Sequence, residues 1–294
     1  MIELLDAAFM RRALLAAALV GITAPAIGTF IVQRRLALLG DGMGHVALTG
    51  VALGFLTSTS PLFSAVVVTV LGAIAIEVMR VRARTAGDVA LALLFYGGIA
   101  GGVFLIGLAP GANNATLTAF LFGSVSSVTS QDVATVAVLA AVVLGVVAFF
   151  GRQLFLLCQD EEVARASGLP VRFLSLLIGV MAALTVVLAM RVVGVLLVSA
   201  LMVIPVAAAQ QLSRSFRGTM SVAVLLGVVC ALAGLSTAYY VDVAPGATIV
   251  LIALAAFVGA VGVGGILRRR RGRARAGSDS VSTVPQNDPG SVPS

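Results

Sequence analysis

His45 is the chain's one histidine, and it follows Asp41 by four residues in the stretch RRLALLGDGMGHVALTGVALG, residues 34–54. That spacing puts two side chains on one face of a helix, one turn apart. A carboxylate and an imidazole together offer oxygen and nitrogen donors, a mixed set that suits zinc, manganese or ferrous iron and, without thiolate, does not favour copper(I). Ionisable groups inside a bilayer are costly and mark ion pathways by default. The expected chemistry is therefore transient coordination of a divalent cation on a translocation path. A competing reading has Asp41 capping a helix and His45 bonded to a neighbouring carbonyl.

Two other polar stretches stand out. QDEEVARASGLPVR, residues 159–172, starts a short charged helix at Asp160, Glu161 and Glu162 and stops it at Gly168, Leu169 and Pro170, with Ala164 in between; a C-terminal glycine followed by proline is a helix stop. Such a helix between two membrane spans is shaped to dock on a soluble partner. YYVDVAPG places Asp242 beside Pro245 and Gly246 at a span end, as a candidate outer gate or as a turn-making residue. Gly97, Gly98, Gly101 and Gly102 around Tyr96 predict close helix packing.

The elements that must carry these residues are membrane helices. Of the 294 residues, 60% are hydrophobic and 11% charged, with a mean hydropathy of +1.13; an ordinary soluble domain has about 25% charged residues. Apolar segments near the ~20 residues a crossing helix needs recur along the chain, without the alternation of a β-barrel. The spans are read at 13–32, 43–56, 61–79, 88–108, 133–150, 173–190, 192–212, 219–238 and 247–267. The predicted fold is an all-α polytopic bundle of about eight or nine transmembrane helices. Residues 1–267 form the membrane domain, and 268–294 an arginine-rich, then Ser/Pro/Gly-rich, disordered tail.

Some details are expected to be irregular. Alternate glycines at 40, 42 and 44 predict a broken or late-starting second helix, since each weakens a helix by about 1 kcal/mol relative to alanine. Residues 115–130 read as an interfacial or re-entrant segment, and 173–212 as a tight hairpin or a long interrupted helix. Glu77 and Asp88 read as solvated residues at the membrane boundary. No signal-peptide cleavage site is evident in residues 1–12, so the first span is expected to act as its own uncleaved insertion signal.

Arginine supplies all 19 basic residues. Loops at 33–43, 80–87, 151–172, 212–218 and 268–294 hold 16 of them, which by the positive-inside rule puts those loops and the C-terminus in the cytoplasm and the N-terminus outside. The net charge of +7 is absorbed by this topology, and no nucleic-acid partner is read from it. Cys158 and Cys230 are too far apart for a metal motif and imply no disulfide framework.

With these residues in view, the chain resembles the permease subunits of bacterial ABC importers for zinc and manganese, over about residues 1–268. RRLALLGDGMGHVALTGVALG is similar to that family's Arg-Arg, Gly-Asp, His signature, AFLFGSVSSVTSQD to its Leu-Phe-Gly segment, and DEEVARASGLP to its coupling helix. VVGVLLVSALMVIPVAAAQQL resembles its Val-Gly, Leu, Ile-Pro-Ala segment, and YYVDVAPGATIVL its Asp, Pro-x-Gly segment. The resemblance implies a homodimer in the bacterial cytoplasmic membrane, a dimer of cytoplasmic ATP-binding subunits contacting residues 160–170, and an extracellular metal-binding protein that delivers the ion. Zinc or manganese, with iron a third choice, would be cargo, and no permanently bound cofactor is implied. Two Asp41/His45 pairs across a dimer axis would supply four ligands.

The chain is not expected to be an enzyme. It has no lysine from which to build a phosphate-binding loop, and one histidine cannot form an intramembrane H-E-x-x-H metalloprotease helix. Two alternatives stay open: a permease for metal chelates or cobalamin, which would need a wider cavity and usually ten spans, and a stand-alone secondary transporter, which would work without the 160–170 helix.

Overall fold

The computed structural model describes residues 8–82, 87–109, 120–123, 128–190 and 193–279, apart from the side chains of residues 8, 80–82, 87–88, 196 and 267–279. Within them the chain runs through ten helices and no strand: α1 (Ala8–Gln33), α2 (Leu39–Leu56), α3 (Pro61–Arg82), α4 (Gly87–Leu108), α5 (Ser130–Gln159), α6 (Glu161–Ala166), α7 (Val171–Ala189), α8 (Val195–Leu212), α9 (Phe216–Val241) and α10 (Pro245–Asp279). Eight are long and apolar enough to cross a membrane, and α8 contributes a shorter apolar helix over Leu197–Leu212. The all-α membrane bundle read from composition is the observed architecture.

α1, α2 and α7 are mostly buried, while α3, α4, α5 and α10 turn most of their surface outward. The packing has an internal order. α1 lies against α8 and α9, and α7 lies against α2 and α3; α2 in turn packs on α3 and α4, as α8 packs on α9 and α10. Four helices thus repeat their neighbour relations in a second four. A single long helix, α5, separates the two sets, the chain order of an inverted repeat.

Several details differ from expectation. α2 is not broken: it starts at Leu39, ahead of its glycines, and stays helical through them. Intrinsic propensity loses here to packing, since the glycines let α8 close in. A methyl on Gly40 would lie 3.3 Å from Met202 Sδ and Ser199 Cβ, and one on Gly44 3.1 Å from the Val195 carbonyl oxygen. α5 extends beyond 133–150 at both ends. Its start is fixed by Thr129 and Asp132: Asp132 N donates to Thr129 Oγ1, and Thr129 N donates to Asp132 Oδ2, a reciprocal capping box.

Residues 173–212 resolve into two helices, α7 and α8, parted at Gly194, whose φ of +88° is natural only to glycine. Of the segment at 115–130, residues 115–119 and 124–127 lie outside the described residues; Phe120–Phe122 are helical. The tail expected to be disordered from 268 instead begins as a continuation of α10 to Asp279, in keeping with the good helix propensity of arginine and alanine. Residues 280–294 lie outside the described residues.

Candidate metal path and coupling helix

Asp41 sits in the first turn of α2, half-buried, and does not cap it: the residue at the cap is Leu38, with no side-chain bond. Its nearest recorded partner is Ser199 of α8, whose Oγ donates to Asp41 Oδ1 at a long 3.5 Å. His45 follows one turn later, 8% exposed. Its ring meets Phe95 of α4 edge-on, centroids 4.6 Å apart at 78°. His45 Nδ1 is buried and, among the described residues, has no hydrogen-bond partner. Buried polar atoms are almost always satisfied, so an orphaned ring nitrogen calls for an explanation.

α4 approaches this point without a side chain in the way. A methyl on Gly98 would be 2.9 Å from the His45 carbonyl carbon and Val46 nitrogen, and Thr49 Oγ1 donates to the Gly98 carbonyl at 2.8 Å. The close packing read from the glycine series therefore holds at Gly98, and it is aimed at the histidine. Gly97 faces open space, and Tyr96 beside it is 68% exposed. No group of three or more His, Cys, Asp or Glu residues is placed to hold a metal among the described residues. Within one chain, Asp41 and His45 are the two donor-type side chains at this turn of α2. A closed structural zinc site would show four ligands.

On the side of the bundle where α5 ends, Asp160 caps α6: its Oδ1 accepts from Glu162 N at 2.8 Å and Val163 N at 3.1 Å. Gly168 turns the chain out of the helix with φ +76°, and Leu169 N returns to the Ala164 carbonyl at 3.1 Å. Ala164 is fully buried against the bundle while Val163 is exposed. Glu161 reaches across to Arg34, Nη2 to Oε2 3.0 Å, and along its own helix to Arg165 at 3.2 Å.

Asp242 forms the left-handed cap of α9, with φ 55° and ψ 51°, and is exposed. Behind it three of the segments quoted for the resemblance converge. A methyl on Gly194 would strike the Leu121 carbonyl and Gly123 nitrogen, and one on Gly246 the carbonyls of Val193 and Phe122. This cluster adjoins Val195, the residue packed on Gly44, so it borders the Asp41/His45 turn.

Sequence reasoning missed Ser199 and Phe95, which complete the surroundings of the pair, and the Arg34–Glu161 bridge. It also read Glu77 as solvated, whereas Glu77 is half-buried and accepts from Ser175 Oγ at 3.2 Å. The side chain of Asp88 lies outside the described residues. The paired arginines at 34–35 were the only signal in the sequence for the bridge.

Residues 6–264 match the ABC 3 transport family. The chain belongs to that family. It is 34% identical over 255 residues to the manganese transport system membrane protein MntC of Halalkalibacterium halodurans, covering 87% of each chain. It is also 32% identical over 250 residues to the manganese import system permease protein ScaB of Streptococcus parasanguinis, covering 85% of this chain and 89% of that one. A solved structure of PsaBC from Streptococcus pneumoniae in complex with Fab superimposes with a TM-score of 0.80 at 32% identity, over 88% of this chain and 95% of the other.

Proposed function

We propose that this ABC 3 family member is the membrane-spanning permease subunit of an ATP-driven importer of divalent transition metal ions. Manganese is the first cargo to test, and Asp41 and His45 are its transient ligands. The observation that supports the site is the buried His45 Nδ1, with no partner among the described residues, one turn from a carboxylate whose bond to Ser199 is long. Carboxylate and imidazole are the donors a manganese or zinc ion accepts from such a pair. The naming of two relatives for manganese favours that ion over zinc.

A two-donor site suits a carrier, because an ion that must leave again cannot be fully enclosed. A second copy of the chain across a shared axis would complete a four-ligand set at the moment of transfer, the arrangement the two-permease reading supplies. α6 is the contact for a separate ATPase subunit: it presents Val163 outward, is rigidly capped by Asp160, and is tied by Glu161 to the rest of the bundle. With that loop in the cytoplasm, the N-terminus is outside and a metal-binding protein delivers the ion from that side. The cluster at Gly123, Gly194 and Gly246, with Asp242 at its rim, then stands as the outer gate.

The test is uptake of radiolabelled manganese by cells or vesicles carrying the complete complex. Asp41→Ala and His45→Ala are expected to abolish uptake while the permease still inserts and still co-purifies with its ATPase subunit. Undiminished uptake by both variants would remove the pair from the mechanism.

A further inference from the structure

Arg34 is a charged residue at the junction of α1 and α2, and its side chain is only 9% exposed. Nη2 donates to Glu161 Oε2 of α6 at 3.0 Å, and Nη1 donates to Ser175 Oγ of α7 at 2.8 Å. Ser175 Oγ in turn donates to Glu77 Oε2 of α3 at 3.2 Å. Four separate parts of the chain, 127 and 141 residues from Arg34 in two of the cases, are thereby joined around one guanidinium. Arginine suits this place because its planar fork presents several donors in fixed directions, which a lysine ammonium does not.

The position of the bridge matters as much as its geometry. α6 touches the bundle through its neighbours α5 and α7, and Glu161 adds a charged tie to the turn that enters α2. That turn is short: Arg35 is left-handed at φ 59°, Leu36 N closes on the Ile31 carbonyl, and α2 begins at Leu39. Asp41 follows in the first turn. At the other end of the network, Glu77 and Ser175 line a small cavity of about 40 Å³ with Leu39 and Met43 of α2. Gly72, on the same helix as Glu77, packs against Val46, the residue after His45. One arm of the network therefore ends in the turn that leads into α2, the other on α3, which packs against α2 through Gly72, and the cavity lies between α2 and that second arm.

We propose that Arg34 is a positioning residue that transmits displacement of α6 to α2, so that movement imposed on the coupling helix changes the disposition of Asp41 and His45. The proposal rests on the reading of α6 as the ATPase contact and of the pair as the ion site. A rigid-body push on α6 reaches the α1–α2 turn through Glu161 and Arg34, and reaches α3 through Ser175 and Glu77. Without Arg34, α6 still docks through Val163 and its own caps, but it loses its charged grip on the turn that enters α2.

The test uses the full complex, with its ATPase and metal-binding subunits, reconstituted in vesicles with Mn²⁺ as the probe. ATP hydrolysis and Mn²⁺ uptake are measured on the same preparation. Arg34→Gln and, as a milder variant on the more exposed partner, Glu161→Gln are expected to cut ions imported per ATP at least tenfold. In Arg34→Gln, hydrolysis should stay within twofold of the parent, and so should Mn²⁺ affinity in the detergent-solubilised complex. The double variant should be no worse than the worse single one, and Arg34→Lys should recover part of the ratio. An unchanged ratio in Arg34→Gln and Glu161→Gln, or in Arg34→Gln a fall in hydrolysis equal to the fall in uptake, would overturn the proposal. Failure of the ion-site reading shows separately, as unaltered Mn²⁺ affinity in Asp41→Ala and His45→Ala.

Discussion

α2 and α8 occupy corresponding places in the two inverted sets of four helices, are each 18 residues long, and pack on each other through Gly40 and Gly44. Their chemistry differs sharply. α2 reads LGDGMGHVALTGVALGFL and carries both ionisable groups, whereas α8 reads VLLVSALMVIPVAAAQQL and has none. The repeat therefore supplies a scaffold twice and furnishes it with a carboxylate and an imidazole once. The second copy of the helix contributes a hydroxyl, Ser199, and an apolar wall. On the proposed reading, this contrast lets a chain with a single histidine build its site within a repeated frame: the frame sets the positions, and only one side is furnished with donors.

The contrast breaks most directly at the donors. Asp41→Ala or His45→Ala should reduce Mn²⁺ uptake on the order of 100-fold or more, beyond the usual cost of losing a mere supporting contact. Leu197→Ala, at the matching third position of α8, should leave uptake within about threefold, a cost of well under one tenfold step. Comparable losses in the two helices would show that both halves carry the ion.

Helix seating should give the next largest effect. Gly98 lets α4 rest on the backbone at His45, and Gly264 lets α10 rest on Gln211 at the end of α8, where a methyl would be 2.7 Å from the carbonyl oxygen. Alanine at either position should destabilise the protein by about 1–3 kcal/mol, the usual cost of overpacking, measured as a lowered melting temperature in detergent. Only Gly98→Ala should also weaken Mn²⁺ binding, by about tenfold, because only there does the displaced helix cover a donor.

Ser199→Ala sharpens the comparison from the α8 side. Its bond to Asp41 is long, so the loss of Mn²⁺ affinity by equilibrium dialysis should be at the low end, about tenfold or less. The smallest effect is expected at Asp242→Gly. Glycine accepts the left-handed cap of α9 without strain, so stability should rise by about 1 kcal/mol or less, with uptake within about twofold if Asp242 is only a turn. A loss of uptake with intact stability would assign the carboxylate to the gate.

The sequence disclosed the spans because twenty-residue apolar runs leave few alternatives, and it disclosed Asp41 and His45 because ionisable residues in such runs are rare. It did not disclose the repeat, which lives in the order of helix contacts and not in matched residues. The glycines of α2 were misread for a related reason. Propensity counts them as three weak points, but each removes a side chain that would have held α8 or α4 away, and packing in the folded bundle outweighs the local cost. Glu77 looked solvated because its partner Ser175 is 98 residues distant, and the Arg34–Glu161 bridge was hidden by a separation of 127.

The seating of Gly98 on the histidine backbone also bears on how such a protein could acquire a taste for another ion. Any side chain larger than hydrogen at position 98 meets main chain, so the surroundings of the proposed donors are closed to change from that wall. Changes of selectivity would have to enter through Phe95 and Ser199, the two neighbours of the donors whose side chains, and not their backbones, make the contact.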